Sequence, residues 1–340
     1  MKNKSFSIVY GGLSTEHDVS VNSFLNIYNT IKSSFLYEYL YSVIYIDTDG
    51  KVYESSKPNR FKIDKDILNK KNISIYTLMR KIKNKKIYIY SLLYGGCGED
   101  GSIQGMANIL GIKNNFGTIF SSALSINKYF MYQYFTNNKN FKMPKTIQVK
   151  NSKYLDEVIQ SFTDSIVVKP NSMGSSKYIQ IYKQDSIDLK LLSKQCDDIL
   201  KLNNDSVLFQ EYINGIEYTC SCSDFNGFIQ TFPLVKVSYA DSVYSYDLKY
   251  DEYNYYTIIK EKEESSLETK IKEITKEIYI SIECTGTIRV DFIVKDAEIY
   301  LLEINTLPGL TEVSSLVLML KEYDVSLERY LAKQIGIIND

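Results

Sequence analysis

Residues 289–309 place three oxygen-bearing side chains, Asp291, Glu303 and Asn305, on two apolar runs joined by the polar stretch Lys295-Asp296-Ala297-Glu298. The pattern predicts a β-hairpin. Side chains alternate along a strand, so Glu303 and Asn305 share one face, and Asp291 can reach it from the partner strand. Two carboxylates and an amide oxygen converging on one point suit Mg²⁺, a hard cation that prefers oxygen. Arg289 beside them is a natural partner for a carboxylate or phosphate. Asn305-Thr306-Leu307-Pro308-Gly309 then breaks the strand and frees backbone N–H groups. The alternative is an acidic hairpin whose carboxylates are merely solvated. Glu303 speaks against it, because it follows Tyr300-Leu301-Leu302 and precedes Ile304. An acid inside such a run is usually paired or metal-bound. On local reasoning the two readings are evenly balanced.

Four other constellations carry possible chemistry. Gly11-Gly12-Leu13-Ser14-Thr15-Glu16-His17 follows an apolar run and precedes a helical pattern. Such a junction gathers unpaired N–H groups that can hold an anion or polar ligand. Glu16 could instead hold an ammonium group, or simply be a first-turn acid favoured by the helix dipole. His17, the sole histidine, offers acid–base chemistry, but a lone histidine near a helix start is more often structural. Gly96-Cys97-Gly98-Glu99-Asp100-Gly101 matches G-x-G-x-x-G. Glu99 and Asp100 would oppose a pyrophosphate there, and the ribose-binding acid is missing at its usual distance. The glycines are read as serving a tight turn. Lys169-Pro170-Asn171-Ser172-Met173-Gly174-Ser175-Ser176 ends an apolar strand in a cation and a Ser/Gly segment, which reads either as a flap able to wrap phosphates or as an ordinary Ser-rich hairpin. Gln210-Glu211-Tyr212-Ile213, followed by Glu217, is a crossover that can offer backbone groups to an adenine edge and a carboxylate to ribose hydroxyls.

The elements that must position these groups begin as an alternation of strands and helices. Strands are expected at Phe6–Tyr10, Tyr41–Ile46 and Ile87–Leu93, with helices at Ser20–Ser33 and Gly101–Leu110, which implies an α/β region with a parallel sheet. One helical stretch is expected from Ser122 to Phe135. A strand at Lys145–Val149, a helix near Leu155–Phe162 and a strand from Ile166 to Pro170 follow. A strand pair is expected near Ile179–Tyr182 and Val207–Tyr212, then strands at Glu217–Ser223 and Phe228–Val237. Tyr239–Tyr256 fits no period and reads as a loop. A charged helix from Ser266 to Cys284 leads into the hairpin.

With 340 residues the chain is long enough for two or three domains. A net charge of −1 gives no field that favours nucleic acid or an acidic membrane. The N-terminal apolar run reaches glycines after four residues, so it reads as a first strand and not a signal peptide. No stretch is long enough to span a bilayer. Five scattered cysteines and one histidine fit reduced cytosolic thiols better than a disulfide or zinc framework.

Taken together and in order, these motifs resemble the D-alanine–D-alanine ligase family of ATP-grasp enzymes. The likeness runs through Gly11-Gly12-x-Ser14-x-Glu16-His17, Gly95 to Gln104, Lys128, Lys169-Pro170 with Gly174-Ser175-Ser176, Asp247-x-Lys249-Tyr250, and Arg289 to Gly309. It covers nearly the whole chain. It implies a mixed α/β (α+β) fold in three domains: an N-terminal parallel-sheet domain (1–122), a central ATP-grasp subdomain with the phosphate flap (123–210), and a C-terminal subdomain with a mobile loop and the metal hairpin (211–340). It implies that ATP phosphorylates the carboxylate of a first D-amino acid, and that the amine of a second attacks the acyl phosphate. On that likeness Glu16 holds the first ammonium in a trio with Ser175 and Tyr250. Lys128 and Lys169 neutralise ATP phosphates, with Gly174 and Ser176 in the flap, and Lys249 approaches the γ-phosphate. Gln210, Glu211, Ile213 and Glu217 hold the nucleoside. Asp291, Glu303 and Asn305 hold two Mg²⁺, with Mn²⁺ as an alternative. Arg289 and the N–H of Gly309 stabilise the oxyanion, and Ser314 meets the second substrate's carboxylate.

Several positions depart from the family's pattern. Tyr94 stands where the family has His, Met173 where the flap has Arg, Lys177-Tyr178 where the flap ends Val-Gly, and Ser315 where Leu follows the serine. Tyr94, Met173 and Ser315 bear on substrate choice. The expected product is D-alanyl-D-alanine for peptidoglycan, made by a cytoplasmic homodimer with no nucleic-acid or membrane partner. The alternatives are a D-Ala–D-Ser or other D-Ala–X ligase, and an ATP-grasp protein that binds nucleotide without catalysis.

Overall fold

A computed structural model describes residues 5–56, 71–174, 178–202, 205–225, 228–238, 255–258 and 266–338. Ser175, Ser176, Lys177, Asp247, Lys249 and Tyr250 lie outside the described residues, and so does most of the expected loop 239–256.

Three sheets follow one another along the chain. The first contains β1 (Phe6–Gly11), β2 (Leu40–Ile46), β3 (Val52–Ser55) and β4 (Tyr88–Ser91), in the order β3-β2-β1-β4. β1 runs parallel to both β2 and β4, and β3 adds an antiparallel edge. Every residue of β1 is buried, as a central parallel strand covered on both faces requires. The helix α1 (His17–Lys32) packs on it. Its Ser20 hydroxyl accepts Gly11 N–H at 2.8 Å and donates to Leu92 O at 2.6 Å, so the helix fixes the ends of two strands. The second sheet, β5 (Thr146–Val149), β6 (Ile166–Pro170), β7 (Gln180–Tyr182) and β8 (Val207–Glu211), has the order β5-β8-β6-β7. The strands near 180 and 207 therefore do not pair with each other as expected. Both flank β6.

The third sheet has the order β12-β11-β9-β13-β14, with β10 added on β9. Its members are β9 (Ile216–Phe225), β10 (Phe228–Thr231), β11 (Val235–Ser238), β12 (Tyr255–Ile258), β13 (Thr287–Lys295) and β14 (Glu298–Asn305). The single strand expected over Phe228–Val237 is two, with Pro233 between them. β10 pairs with one half of β9 and β11 with the other. β12 occupies part of the span read as a loop. One face of β9 and β13 buries Cys220, Cys222, Ile288, Val290 and Phe292 in a cluster with Ile271, Ile274 and Ile278 of the helix Ser266–Ser281. The cysteines serve as small core residues there, and all five are free thiols.

Core membership does not follow chain order. The span read as one helix, 122–135, is two, Ile119–Ile126 and Lys128–Phe135, broken at Asn127. Leu124, Met131 and Phe135 from them join the core of the third sheet. The helices Ser315–Glu322 and Leu327–Ile335, not foreseen from the sequence, return to the first sheet through Leu316, Met319, Leu320 and Leu331. The loop after β14 is thereby carried back against the N-terminal part of the chain. Helices Ile75–Lys85 and Leu189–Leu200 were also not foreseen. No helix among the described residues is long and apolar enough to cross a membrane.

Candidate active site

The expected hairpin forms. Asp296 and Ala297 take φ values of 51° and 66° at its tip, the left-handed pair of a two-residue turn that matches strand twist. Asp291 stands opposite Glu303 and Arg289 opposite Asn305. A bulge follows Asp291, because Phe292 pairs with Leu301 and leaves Leu302 as the extra residue. On the other side β9 sets Ser221, Thr219 and Glu217 opposite Arg289, Asp291 and Ile293. Opposed residues share a face. One face of the sheet thus carries Glu217, Thr219, Arg289, Asp291, Glu303 and Asn305 together.

Asp291 is buried and richly held. Arg289 donates to both of its oxygens, from Nε and Nη2, each at 2.8 Å. The Thr219 hydroxyl donates at 2.7 Å and Asn305 Nδ2 at 3.3 Å. Glu303 lies 3.8 Å from Arg289 and 3.7 Å from Lys128. Lys128 opens its helix and is buried; its ammonium donates to Met173 O at 2.9 Å. Lys169, next to last in β6, is also buried and donates to Gln210 Oε1 at 2.8 Å. Gln210 is held in turn by donating to Thr146 Oγ1 at 2.9 Å. Among the described residues no three His, Cys, Asp or Glu side chains cluster as a metal site by themselves. The hairpin offers two carboxylates and the Asn305 amide, all hard oxygen donors. That set fits Mg²⁺ completed by ligand phosphates, the usual way this ion is bound.

Two cavities adjoin at this face. One of 80 Å³ is lined by Lys128, Lys169, Gln210, Glu211, Ile213 and Glu217, with Asp291 and Glu303 at its end. The other, of 430 Å³, is lined by Glu16, Tyr94, Glu99, Arg289, Gly309 and Ser314 among others. Lys128, Met173, Gly174 and Glu303 border both. Every described residue to which the sequence assigned a catalytic, metal, nucleotide or substrate role lines one of these two cavities, whereas His17, Asp100 and Tyr178 line neither. His17 Nδ1 bonds Gly12 O at 2.7 Å and its Nε2 the Tyr45 hydroxyl at 3.1 Å, a structural role.

The N-terminal wall is built on glycines. Gly95 and Gly96 have φ values of 64° and 47°, so this segment is the tight turn that the sequence suggested. A Cβ on Gly95 would lie 2.6 Å from Glu16 Oε2, and one on Gly174 would lie 2.7 Å from the same atom. The Glu16 carboxylate is thus wedged between the turn and the flap, with no room for a side chain on either. Glu99, not singled out as a site residue, faces the same space. Its Oε2 accepts Gly95 N–H at 2.7 Å and its Oε1 accepts Leu307 N–H at 3.2 Å. Burial first, and the charge of Glu16 second, push its carboxyl up to about 8. Tyr94 is buried, and burial raises its phenol well above the ordinary value.

At the far end Ser314 precedes the helix Ser315–Glu322. Its hydroxyl accepts Thr311 N–H at 3.0 Å and bonds Thr311 Oγ1 at 2.8 Å. Unpaired N–H groups of that first turn can meet a carboxylate. Ser23 and Asn26 of α1 hold the loop from behind: Leu310 N–H donates to Ser23 Oγ at 3.2 Å, and Asn26 Nδ2 donates to Leu310 O at 2.8 Å. No local pattern could have marked these two, since their partners lie nearly three hundred residues away.

Two family models match the chain. Residues 5–115 match that of the D-ala D-ala ligase N-terminus, and residues 132–335 that of the D-ala D-ala ligase C-terminus. A D-alanine–D-alanine ligase of Finegoldia magna is 26% identical over 98% of this chain and 95% of its own length. The fold is similar to that of a D-Ala:D-Ser ligase from Enterococcus faecalis, with a TM-score of 0.78 and 23% identity over 99% of both chains. It is also similar to a D-alanine–D-alanine ligase from Bacillus anthracis complexed with ATP, with a TM-score of 0.71 and 24% identity over 99% of this chain and 97% of that one. The chain belongs to the D-alanine–D-alanine ligase family, a family of ATP-dependent ligases.

Proposed function

We propose that the two cavities are one active site, in which ATP activates the carboxylate of D-alanine as an acyl phosphate and a second D-alanine attacks it. The observation that supports this most is the shared face of β9, β13 and β14, which sets Arg289, Asp291 and Glu303 where the two cavities meet. The nucleoside occupies the smaller cavity, with Gln210, Glu211 and Ile213 at its base edge and Glu217 at its ribose. Lys128 and Lys169 neutralise its phosphates, covered by Gly174, Ser175 and Ser176. Asp291, Glu303 and Asn305 hold Mg²⁺, which when bound neutralises charge on the transferring phosphoryl group. Glu16 takes the ammonium of the first substrate, in a trio with Ser175 and Tyr250. Arg289 and Gly309 N–H face the oxygen that gains charge during attack, Lys249 reaches the γ-phosphate, and Ser314 with the helix start takes the second carboxylate. Tyr94 shapes the first-substrate site and Ser315 the second. Three units, 1–122, 123–210 and 211–340, carry these parts.

A second reading rests on one observation. Asn22, Thr311, Ser314 and Ser315 give this end of the cavity a hydroxyl- and amide-rich wall, which would suit D-serine as the second amino acid. One assay tests both: incubate the protein with ATP, Mg²⁺ and single or paired D-amino acids, then measure phosphate and identify products. D-alanine alone should give D-alanyl-D-alanine. Release only with D-alanine plus D-serine would establish the second reading, and no release with any pair would end both. We further infer a cytoplasmic homodimer. The exposed apolar side chains Ile109, Phe120 and Phe130 support a contact between copies, and light scattering that gives a monomer would refute it.

A further inference from the structure

Asn171 stands two residues beyond Lys169 and is buried, with 2% of its surface exposed. Its backbone continues the ladder between β6 and β8, because Asn171 N–H donates to Ser206 O at 2.9 Å. Its two oxygens turn to the helix Lys128–Phe135. The backbone carbonyl accepts Lys128 N–H at 3.2 Å, and Oδ1 accepts Tyr129 N–H at 2.8 Å. A backbone N–H can only donate, so this bond fixes which way the amide points, and Nδ2 donates to Ser172 Oγ at 3.0 Å. The third N–H of the helix, that of Phe130, goes to its own cap, Asn127 Oδ1, at 3.0 Å. The first N–H groups of a helix have no partner within it. Here two of the first three are taken by one residue, and that residue follows the strand that carries Lys169. The helix that opens with Lys128 is therefore docked on the strand end that holds Lys169. The same corner pins the base of the flap: Ser172 N–H donates to Asp205 Oδ2 at 2.9 Å, and the Lys128 ammonium donates to Met173 O at 2.9 Å.

We propose that Asn171 is a positioning residue for the nucleotide: it fixes Lys128 against Lys169, so that both ammonium groups border the smaller cavity at a set separation before a nucleotide arrives. Lysine is a point charge on a flexible stem, so the placing of its backbone decides where the charge can reach. Two cations already held at one spacing meet phosphate oxygens without a cost of assembly on binding. Without the Asn171 amide, Tyr129 N–H loses its partner, and the helix start shifts or takes up water to satisfy it. Lys128 moves with the helix, whereas Lys169, held by Gln210, stays in place. The inference rests on the assignment of the two lysines to the phosphates of ATP above.

Steady-state kinetics on the intact protein test it. Asn171→Ala should raise the KM for ATP by about 10-fold or more, with the KM for D-alanine within about 2-fold of wild type. Asn127→Ala removes a cap from the same helix without loosening it from β6, so it should leave both KM values within about 2-fold of wild type. A general loss of helix stability would lower the amount of active protein in both variants without separating the two substrates. An unchanged KM for ATP in Asn171→Ala, an equal rise in both variants, or an equal rise for D-alanine would each overturn the proposal and leave the ligase reading intact. Hydrogen exchange on the wild-type protein decides the matter even if the variant does not fold. The amides of Lys128 and Tyr129 should exchange slowly without nucleotide and change little when a non-hydrolysable ATP analogue binds with Mg²⁺. Fast exchange that slows on binding would mean that the nucleotide sets the helix, and would overturn the proposal. Absence of ATP-dependent phosphate release from the wild type with any pair of D-amino acids would overturn the ligase reading and this inference with it.

Discussion

The two ends of the larger cavity treat their acids in opposite ways. At the hairpin end Asp291 is paired with both Arg289 nitrogens and Thr219, and Glu303 lies within 4 Å of both Arg289 and Lys128. At the N-terminal end Glu16 and Glu99 flank one glycine turn, and Glu99 is held by backbone N–H groups, its carboxyl pushed up to about 8 by burial first and Glu16 second. The first end is close to balanced before any ligand arrives, so what it adds is an anion together with its counter-cation, as a nucleotide–Mg²⁺ complex would be. The second end has acid in excess and is complementary to a cation, as an amino acid's ammonium is. On the proposed assignment, the phosphate-transfer end and the amino-acid end of the cavity thus differ in charge.

The sharpest way to break this division is at the hairpin. Glu303→Gln keeps the shape and removes one charge from the metal set, and kcat should fall by about 100-fold or more in a phosphate-release assay. Turnover near wild type would mean that Glu303 only balances Lys128. The matching break at the other end is Gly95→Ala. Its Cβ would fall 2.6 Å from the Glu16 carboxylate, so the KM for the first D-alanine should rise by roughly 10-fold or more while ATP binding changes little. Equal loss of ATP affinity would merge the two ends. Ser315→Leu sharpens the picture within the amino-acid end. It should shift kcat/KM toward D-alanine over D-serine by about 10-fold, the worth of one hydroxyl contact or a well-filled apolar pocket.

A further effect is on stability. The Glu99 carboxyl is raised from 4.5 to about 8, so between these values the folded chain binds more protons than the unfolded chain. Stability of the substrate-free protein should therefore decline as pH rises from about 5 to 8, by roughly 1–4 kcal/mol, and Glu99→Gln should flatten that slope. Denaturant titrations at several pH values measure it; an unchanged slope in the variant would assign the effect to other groups.

What could be read from the sequence follows from how local each feature is. The hairpin face was legible because strand alternation and a two-residue turn are written within a dozen residues, although the bulge at Leu302 was not. Pro233, which splits one expected strand into two, and Asn127, which caps the second of two short helices by accepting Phe130 N–H at 3.0 Å, were visible but read over. The order of six motifs carried the family where no single motif could. From the sequence Glu99 reads only as an obstacle to pyrophosphate, because Leu307, whose N–H it accepts, and the like-charged Glu16 are brought to it only by the fold. Ser23 and Asn26 were invisible for the same reason: their task is to hold Leu310, 287 and 284 residues further on.

The central claim is that one cavity activates a D-amino-acid carboxylate by phosphorylation. Turnover of D-alanine labelled with ¹⁸O in its carboxylate tests it most directly. Activation through an acyl phosphate leaves one labelled oxygen in each phosphate released, seen by mass spectrometry or ³¹P NMR. Phosphate released without label, alongside dipeptide formation, would contradict the account.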